Sequence, residues 1–361
     1  MSGNVHHVSD PLIASFRQPP RQVCLLRLSA IGDTCHVVPL LRALQRAWPD
    51  TRFTWIIGRI EARLMGVLLP EIEFITVDKR SFRGAASGLR QALKGRHFDL
   101  LLHLQTSLRS SLYSRLVSAP VRLGYDRSRG REMQWLFTNA RLAPHAPCHA
   151  LESYMDFAAA LGIEDRHLAW DLPIPAAARA WAAERIPEGT RALLVSPCSS
   201  HRVRSWSVER YAAVIDHAVR RHGMQAVICG APNDYERGYG AAIEGAAQVP
   251  VTNLVGQDTL PQLLALLERA TVLLSPDAGP AHMATMVNTP VIGLYGCTRL
   301  QRTGPYLSQH WCVDRFDAAA RRFKGRSAAE LRWTEDVEVP GAMDLIEVTD
   351  VTGKLDALLA G

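Results

Sequence analysis

The chain has 361 residues, 47% of them hydrophobic and 21% charged, with a formal net charge of +6, which is typical of a globular protein long enough for two domains. No apolar run approaches the roughly 20 residues that cross a bilayer, and the first 22 residues contain Pro19-Pro20 and no apolar signal core, so we expect no export. Seven cysteines without a Cys-x-x-Cys pair argue against a disulfide framework and a zinc ribbon, which favours the cytoplasm.

The first half of the chain alternates apolar strands with helical segments. Strands are predicted at 22–28, 52–58, 74–78 and 99–105. The segment after the first strand has apolar residues at helical spacing, namely Val37, Val38, Leu41, Leu44 and Trp48. Continuous apolar strands that alternate with helices are typical of a parallel, doubly wound sheet.

The same pattern restarts at residue 192. Strands are predicted at 192–197, 225–230, 271–277 and 291–296, with helices at 208–223 and 260–270. We therefore predict an α/β fold of two Rossmann-like, doubly wound domains facing a cleft. The N-terminal domain covers 1–172 and the C-terminal domain 191–342, joined by a Pro- and Ala-rich linker at 173–190. A final helix in 343–361 is expected to return to the first domain.

Ligands of such sheets bind at the carboxyl ends of the strands. The chain has neither G-x-G-x-x-G nor a Walker motif, which argues against an ordinary NAD enzyme and a P-loop ATPase. Three classes remain: nucleotide-sugar transferases with two Rossmann-like domains, related epimerases, and periplasmic-type binding proteins. The missing signal peptide disfavours the last class.

The loop at 29–39 follows the first strand. Gly32 allows the backbone to pass close to a ligand, and Asp33 follows at the start of the next helix. Asp33 has two possible roles at this point. It could act as an N-cap worth about 1 kcal/mol, or as a base on a bound hydroxyl group.

The equivalent loop of the second half, 196–211, offers hydroxyl groups and guanidinium groups. Ser199 and Ser200 are hydrogen-bond donors, while Arg202 and Arg204 suit a phosphate. The alternative is a solvated basic loop without a ligand.

A third loop precedes a short helix at 275–296. Backbone amides near Ala278 and Gly279 are suited to a phosphate because a helix begins at Pro280. Asp277 could reach a sugar hydroxyl, and His282 lies on the first helical turn. The alternative is ordinary turn and helix-start chemistry.

These loops together resemble glycosyltransferase family 9, the ADP-heptose:lipopolysaccharide heptosyltransferases. The matching segments are AIGDTCHVVPLLRAL, LQTSLRSSL (104–112), RLGYD (122–126), SWSVERY, NLVGQDTLPQL (253–263) and SPDAGPAHMA, the last being the most specific. The resemblance implies a GT-B fold and an inverting transfer of heptose from ADP-heptose to the inner core of lipopolysaccharide, in the Kdo–lipid A region.

By position, the resemblance makes Asp33 the general base. It implies a donor site formed by Ser199, Ser200, Arg204, Asp277, Ala278, Gly279 and His282, and acceptor contacts from Gly32, Gln105 and Arg109. The chain departs from the family at Arg204, where Lys is common, at Cys198, where Thr or Ser is common, and at Ala278, where Thr is frequent. The residue that binds the ribose is either Asp234 or Glu236.

The positive charge lies in the first half of the chain. Residues 1–170 carry a net +8 and the remaining residues a net −2. Two segments, 79–96 and 126–137, concentrate the basic residues, and the second adds Arg127, Arg129 and Arg131 beside Trp135 and Phe137. An anionic lipopolysaccharide precursor and the cytoplasmic face of the inner membrane are the partners that this pattern favours. The alternative is a solvated arginine-rich surface.

We expect no cofactor, no metal and no nucleic acid. His145, Cys148 and His149 have loosely metal-like spacing but lack a fourth ligand nearby, and the family resemblance makes His149 a helix-start residue. No two aspartates are spaced as Asp-x-Asp, the arrangement with which transferases of the other major fold hold a metal. A nucleotide-sugar epimerase and a non-enzymatic nucleotide-sugar-binding protein remain alternatives.

Overall fold

The structure is a computed structural model that describes residues 18–360. Most of the N-terminal stretch from which we argued against export, residues 1–17, lies outside the described residues. Contacts divide the chain into two units, Met1–Pro173 and Ile174–Gly361.

The first unit is built on a parallel sheet of six strands in the order β3-β2-β1-β4-β5-β6. The strands are β1 (Gln22–Leu26), β2 (Arg52–Gly58), β3 (Glu73–Val77), β4 (Leu100–His103), β5 (Val121–Gly124) and β6 (Ala140–Arg141). The helices are α1 (Ile31–Ala47), α2 (Arg59–Leu68), α3 (Phe82–Ala92), α4 (Leu108–Ser114) and α5 (Ala150–Ala160). The strand order reverses between β1 and β4, so the loops after these two strands meet at one edge.

The second unit repeats this plan with the strand order β12-β11-β10-β7-β8-β9. The strands are β7 (Ala192–Val195), β8 (Gln225–Ile228), β9 (Val251–Asn253), β10 (Val272–Pro276), β11 (Val291–Tyr295) and β12 (Val313–Asp314). The helices are α6 (Ala176–Arg185), α7 (Val208–His222), α8 (Asp234–Ala246), α9 (Leu260–Arg269), α10 (Gly279–Met286), α11 (Leu300–Thr303), α12 (Phe316–Lys324) and α13 (Val348–Ala360).

The central strands are buried on both faces. Every residue of β4, β7, β10 and β11 is buried. Helices that cover both faces of a parallel sheet produce such uniformly apolar strands. The prediction of two doubly wound α/β units is confirmed.

Two predicted boundaries differ from the structure. The predicted linker at 173–190 contains α6, which packs against α9 within the second unit. The final helix was expected to return to the first domain, whereas α13 packs against α7 in the second unit. The physical reason is an apolar stripe at i, i+4 spacing: Val351 and Leu355 are fully buried in the core of the second unit.

Two further features concern membrane spans and cysteines. Across residues 18–360, no helix has both the length and the apolar character needed to cross a bilayer. All seven cysteines are free thiols, and six of them are buried.

Candidate active site

Asp33 lies in the first turn of α1, directly after β1. The N-cap is Ala30 rather than Asp33, and the Asp33 Oδ2 atom accepts the backbone N–H of Ala30 at 3.0 Å. Asp33 therefore stabilises the helix start from the third helical position, where a negative charge also favours the helix dipole. Its side chain remains 33% exposed, so a substrate can reach the carboxylate.

Two donors orient this carboxylate. Arg27, directly after β1, forms an ion pair with Asp33, and its Nη1 atom donates to the Leu104 carbonyl at 3.0 Å. The Tyr154 hydroxyl donates to Asp33 Oδ1 at 3.3 Å. Burial raises the pKa of Tyr154 well above its ordinary value, so the phenol stays a donor. Burial opposes the charge of Arg27, but the nearby Asp33 more than offsets it, and the pKa of Arg27 is raised.

The structure brings Gly32, Gln105 and Arg109 to this same edge of the first sheet. Gly32 is buried in the first turn of α1. Gln105 follows β4, and its Oε1 atom accepts the backbone N–H of Leu28 at 2.7 Å. Arg109 donates to the Lys79 carbonyl at 2.8 Å from the start of α4. Since β1 and β4 are neighbours, Gln105 lies in the loop next to the one that carries Gly32 and Asp33, while Arg109 reaches toward the segment after β3.

The three predicted acceptor arginines after β5 have different environments. Arg127 and Arg131 are exposed, and the Arg127 guanidinium lies 4.9 Å from the Trp135 ring centre. Arg129 is only 16% exposed and is paired with two carboxylates, Asp126 at 2.5 Å and Asp156 at 2.6 Å. Arg129 therefore fastens the loop after β5 to α5, and its interpretation as part of an open basic surface is wrong.

The residues with metal-like spacing near residue 145 lie in two separate arrangements. His149 is the N-cap of α5, and its Nδ1 atom accepts the backbone N–H of Leu151 at 3.1 Å. His145, Cys148 and Asp156 instead cluster together. The guanidinium of Arg129 lies 2.6 Å from both His145 Nε2 and Asp156 Oδ2. A cationic group already occupies the centre, which disfavours a metal ion there.

A second cluster of this kind joins α7 to α13. The Nε2 atoms of His217 and His222 each lie 2.6 Å from Asp356 Oδ1. Arg221 approaches the other carboxylate oxygen at 3.5 Å. These contacts fasten the last helix to the second unit.

The loops after β7 and β10 meet at the carboxyl edge of the second sheet. Ser199 donates its hydroxyl to the Asp277 carbonyl at 3.1 Å. Ala278 is the N-cap of α10, Gly279 is the first helical residue, and His282 Nε2 lies 3.8 Å from Asp277 Oδ1. The first N–H groups of a helix have no partner within it, so this start is suited to an anion. Ser200, beside Ser199 in the loop after β7, is exposed.

Arg204 is surrounded by carboxylates. Its Nη1 atom lies 3.1 Å from Asp277 Oδ2, its Nε atom donates to Glu338 at 2.6 Å, and Asp336 lies 3.8 Å away. The side chain is 16% exposed. Sequence reasoning missed Glu338 and Asp336, because the acidic stretch around them has no motif and no neighbouring strand to place it at this edge. Thr303 was also missed; its hydroxyl donates to Asp277 Oδ2 at 3.3 Å.

Asp234 and Glu236, the two candidates for the ribose contact, are placed differently. Glu236 turns back to the loop after β8, where Oε2 accepts the backbone N–H of Ala231 at 2.7 Å. A Cβ atom at Gly230 would lie 2.8 Å from that oxygen, so glycine permits this close approach. Asp234 begins α8 with an exposed side chain. Glu236 is therefore the carboxylate at the strand edge.

The chain is similar to known proteins. The family model described as glycosyltransferase family 9 (heptosyltransferase) matches residues 87–333, more than half of the chain. The lipopolysaccharide core heptosyltransferase OpsX of Haemophilus influenzae is 35% identical, over 95% of this chain and 98% of that protein. The chain belongs to glycosyltransferase family 9.

Other relatives agree with this membership. Lipopolysaccharide heptosyltransferase 3 of Escherichia coli is 24% identical, over 89% of this chain and 98% of that protein. The solved structure of E. coli ADP-heptose lps heptosyltransferase II is 21% identical, with a TM-score of 0.70 and coverage of 94% and 98% of the two chains. The family 9 member described here is thus a glycosyltransferase with a GT-B fold, built on two parallel six-stranded sheets.

Proposed function

We propose that this family 9 enzyme transfers heptose from ADP-heptose to the inner core of lipopolysaccharide, in the Kdo–lipid A region, with inversion at the anomeric carbon. The relative at 35% identity is named as a lipopolysaccharide core heptosyltransferase. Solved relatives include E. coli heptosyltransferase WaaC with ADP and with ADP-2-deoxy-2-fluoro heptose. The observation that carries the proposal is the oriented, reachable carboxylate of Asp33 directly after β1.

The reaction needs one base and one stabilised leaving group. The acceptor hydroxyl oxygen attacks the anomeric carbon while Asp33 takes its proton. The bond from that carbon to the β-phosphate oxygen breaks, and ADP leaves with the electron pair. One displacement on the face opposite the leaving group inverts the configuration.

The second unit supplies the charge stabilisation. The amides at the start of α10, the hydroxyls of Ser199 and Ser200, and Arg204 bind the diphosphate. Asp277 accepts a sugar hydroxyl, and Glu236 accepts the ribose hydroxyls. Because a helix terminus and a guanidinium carry this role, we propose that no metal is required. Activity in excess chelator is expected to equal that with magnesium; complete loss, restored by magnesium, would overturn this part.

The first unit supplies a surface for an anionic lipid. Among the described residues, eight large apolar side chains are exposed, and seven of them lie in the first unit, namely Ile60, Val67, Phe82, Leu108, Leu112, Met133 and Leu136. Met133 and Leu136 follow the exposed Arg131 closely in sequence. Apolar side chains beside basic ones suit the headgroup boundary of an anionic membrane.

The deciding experiment measures ADP release and product mass with ADP-heptose, with and without a Kdo–lipid A acceptor. Transfer requires both substrates. An epimerase would convert the donor alone, and a binding protein would change neither substrate. Either of the last two outcomes would overturn the proposal.

A further inference from the structure

His217, His222 and Asp356 form a cluster in the second unit that the chemistry above does not use. The two histidines lie near the C-terminal end of α7, and Asp356 lies in α13. Both Nε2 atoms lie 2.6 Å from the same carboxylate oxygen, Asp356 Oδ1, and the ligand-type atoms of all three side chains lie within 4.8 Å of one another. Two imidazoles and a carboxylate from two helices therefore converge on one small volume, as metal ligands do.

This cluster lies at the edge of the second sheet opposite the donor loops. In a doubly wound sheet, each helix leaves the carboxyl end of one strand and returns to the amino end of the next. Helix α7 begins at Val208, after the loop that follows β7, and ends at His222, just before β8 begins at Gln225. Its 15 residues extend about 22 Å. The cluster is therefore remote from the proposed diphosphate site, and its role is not donor binding.

The charges around the cluster leave room for a cation. The similar cluster around His145 is filled by a protein cation, because the Arg129 guanidinium lies 2.6 Å from both His145 Nε2 and Asp156 Oδ2. At Asp356 the arrangement differs, since Arg221 approaches only the other carboxylate oxygen, at 3.5 Å, and its side chain is 64% exposed. An exposed guanidinium can turn toward solvent, so it does not block the space between the two imidazoles and Oδ1.

We propose that His217, His222 and Asp356 bind one Zn²⁺ ion, with water as the fourth ligand, and that this ion links α13 to α7. Zinc takes imidazole nitrogen and carboxylate oxygen in tetrahedral sites of this composition. The three side chains are 16–35% exposed, so an ion and a water molecule can reach them from solvent. The site is structural and lies apart from the transfer reaction, which needs no metal.

The side chains need only a small adjustment to hold this ion. Zinc–ligand bonds of about 2.0–2.2 Å at tetrahedral angles separate two ligand atoms by about 3.4 Å. Each Nε2 atom therefore moves about 0.8 Å further from Asp356 Oδ1 than its present 2.6 Å. Binding needs a lone pair on each Nε2, so each imidazole carries its proton on Nδ1 when the ion is bound.

The expected consequence is a firmer attachment of the last helix. Only Val351 and Leu355 are buried among the 13 residues of α13, and Asp356 follows Leu355 directly. A metal bond at Asp356 would hold the last turns of α13 to α7 in addition to this packing. An ion that binds the folded chain and not the unfolded one also raises the melting temperature.

The test titrates ZnCl₂ into the full chain, freed of metal by a chelator and dialysis, and follows binding by calorimetry. The wild type is expected to bind one ion per chain, and its Tm should rise by about 5 °C at a zinc concentration of 100 times Kd. The double variant His217→Gln, His222→Gln keeps an amide donor for Asp356 at both positions but has no imidazole. It is expected to bind zinc at least about 100-fold more weakly and to show no rise in Tm.

Two further variants guard this test. His145→Gln alters the other cluster and is expected to bind zinc as the wild type does. Asp356→Asn still offers a hydrogen-bond acceptor to α7, so its weakened zinc binding is a second measure if the double variant folds poorly. If the wild type binds no zinc, or if the variants at 217, 222 and 356 bind it as tightly as the wild type, the inference is wrong. Loss of binding in His145→Gln alone would place the ion in the other cluster and would equally overturn it.

Discussion

At the scale of single residues, Asp33 performs two tasks that can be separated. The carboxylate accepts the Ala30 N–H at the start of α1, and it accepts the Tyr154 hydroxyl beside Arg27. The two hydrogen bonds go to different carboxylate oxygens, so the single amide oxygen of Asn can keep the one from Ala30 but not both. The amide cannot take a proton from the acceptor. Replacing Asp by Asn therefore removes the proposed chemistry while leaving an acceptor at the helix start.

We expect Asp33→Asn to lower kcat by about 10²- to 10⁴-fold, the usual worth of a positioned base. The dissociation constant for ADP should stay within about twofold of wild type, because the proposed donor site is in the other unit. Steady-state ADP release and calorimetry measure the two quantities. Asp165→Asn, which removes the surface ion pair with Arg46, is the control. If the Asp33→Asn variant turns over at nearly the wild-type rate but has a lower Tm, Asp33 only stabilises the start of α1 and is not the base.

Arg204 presents a comparable pair of roles. It compensates the charges of Asp277 and Glu338, and it is proposed to bind phosphate. We expect Arg204→Met to weaken ADP binding by about 10-fold or more, since a charged hydrogen bond contributes about 1.5–3 kcal/mol. Arg204→Lys keeps the charge without the planar fork and should fall between Met and wild type.

Calorimetry with ADP measures these affinities, and urea unfolding reports the structural share of each effect. Arg179→Met, which breaks an exposed ion pair with Glu268, is the matched control. If Arg204→Met and Arg204→Lys both bind ADP as tightly as the wild type, the role of Arg204 is only to hold the acidic loop.

At the scale of elements, α13 shows how packing decides where a helix belongs. Leu355 is fully buried against the core of the second unit, and the His217–Asp356–His222 contacts fasten the same helix. We expect Leu355→Ala to lower the free energy of unfolding by about 2–5 kcal/mol, measured by urea denaturation. Leu307→Ala, at a 43% exposed position, should change it by less than about 1 kcal/mol. If the two variants lower the free energy of unfolding equally, Leu355 does not have this packing role.

The sequence predicts elements well where one local pattern determines them. The continuous apolar runs of β1 and β10 predict these strands directly, and the residues after them predict the starts of the helices that follow. Strand β6 has only two residues, too few to establish a period. The partner surface of α13 depends on which apolar stripe lies nearby in space, which periodicity alone does not specify.

The residues of the candidate site also fall into two groups: those that the sequence predicts and those that only the structure reveals. Asp33, Ser199 and Asp277 follow buried strands, and that position predicts them. Glu338 and Asp336 reach Arg204 from a loop 60 residues beyond Asp277, so only the folded chain reveals them. Arg129 looks basic in sequence, and its two carboxylate partners become apparent only in the structure.

At the scale of the whole molecule, the uneven charge and the exposed apolar side chains coincide in the first unit. Residues 1–170 carry a net +8, and seven of the eight exposed large apolar side chains among the described residues lie there. A chance distribution of arginine would not place the apolar side chains in the same unit. The coincidence favours a surface that binds an anionic lipid rather than a merely solvated one.

We expect the double variant Arg127→Glu, Arg131→Glu to weaken binding to anionic vesicles and to raise the KM for acceptor, since each basic residue near such a membrane contributes about 1 kcal/mol. Arg129 is left intact because its reversal would break the contacts with Asp126 and Asp156. The KM for ADP-heptose should not change, and high salt should mimic the variant by screening. Arg322→Glu, Arg332→Glu changes the net charge equally in the second unit and is expected to have no effect. If vesicle binding and acceptor KM respond to neither the first-unit variant nor salt, the charge asymmetry is compositional and the membrane surface is not a partner.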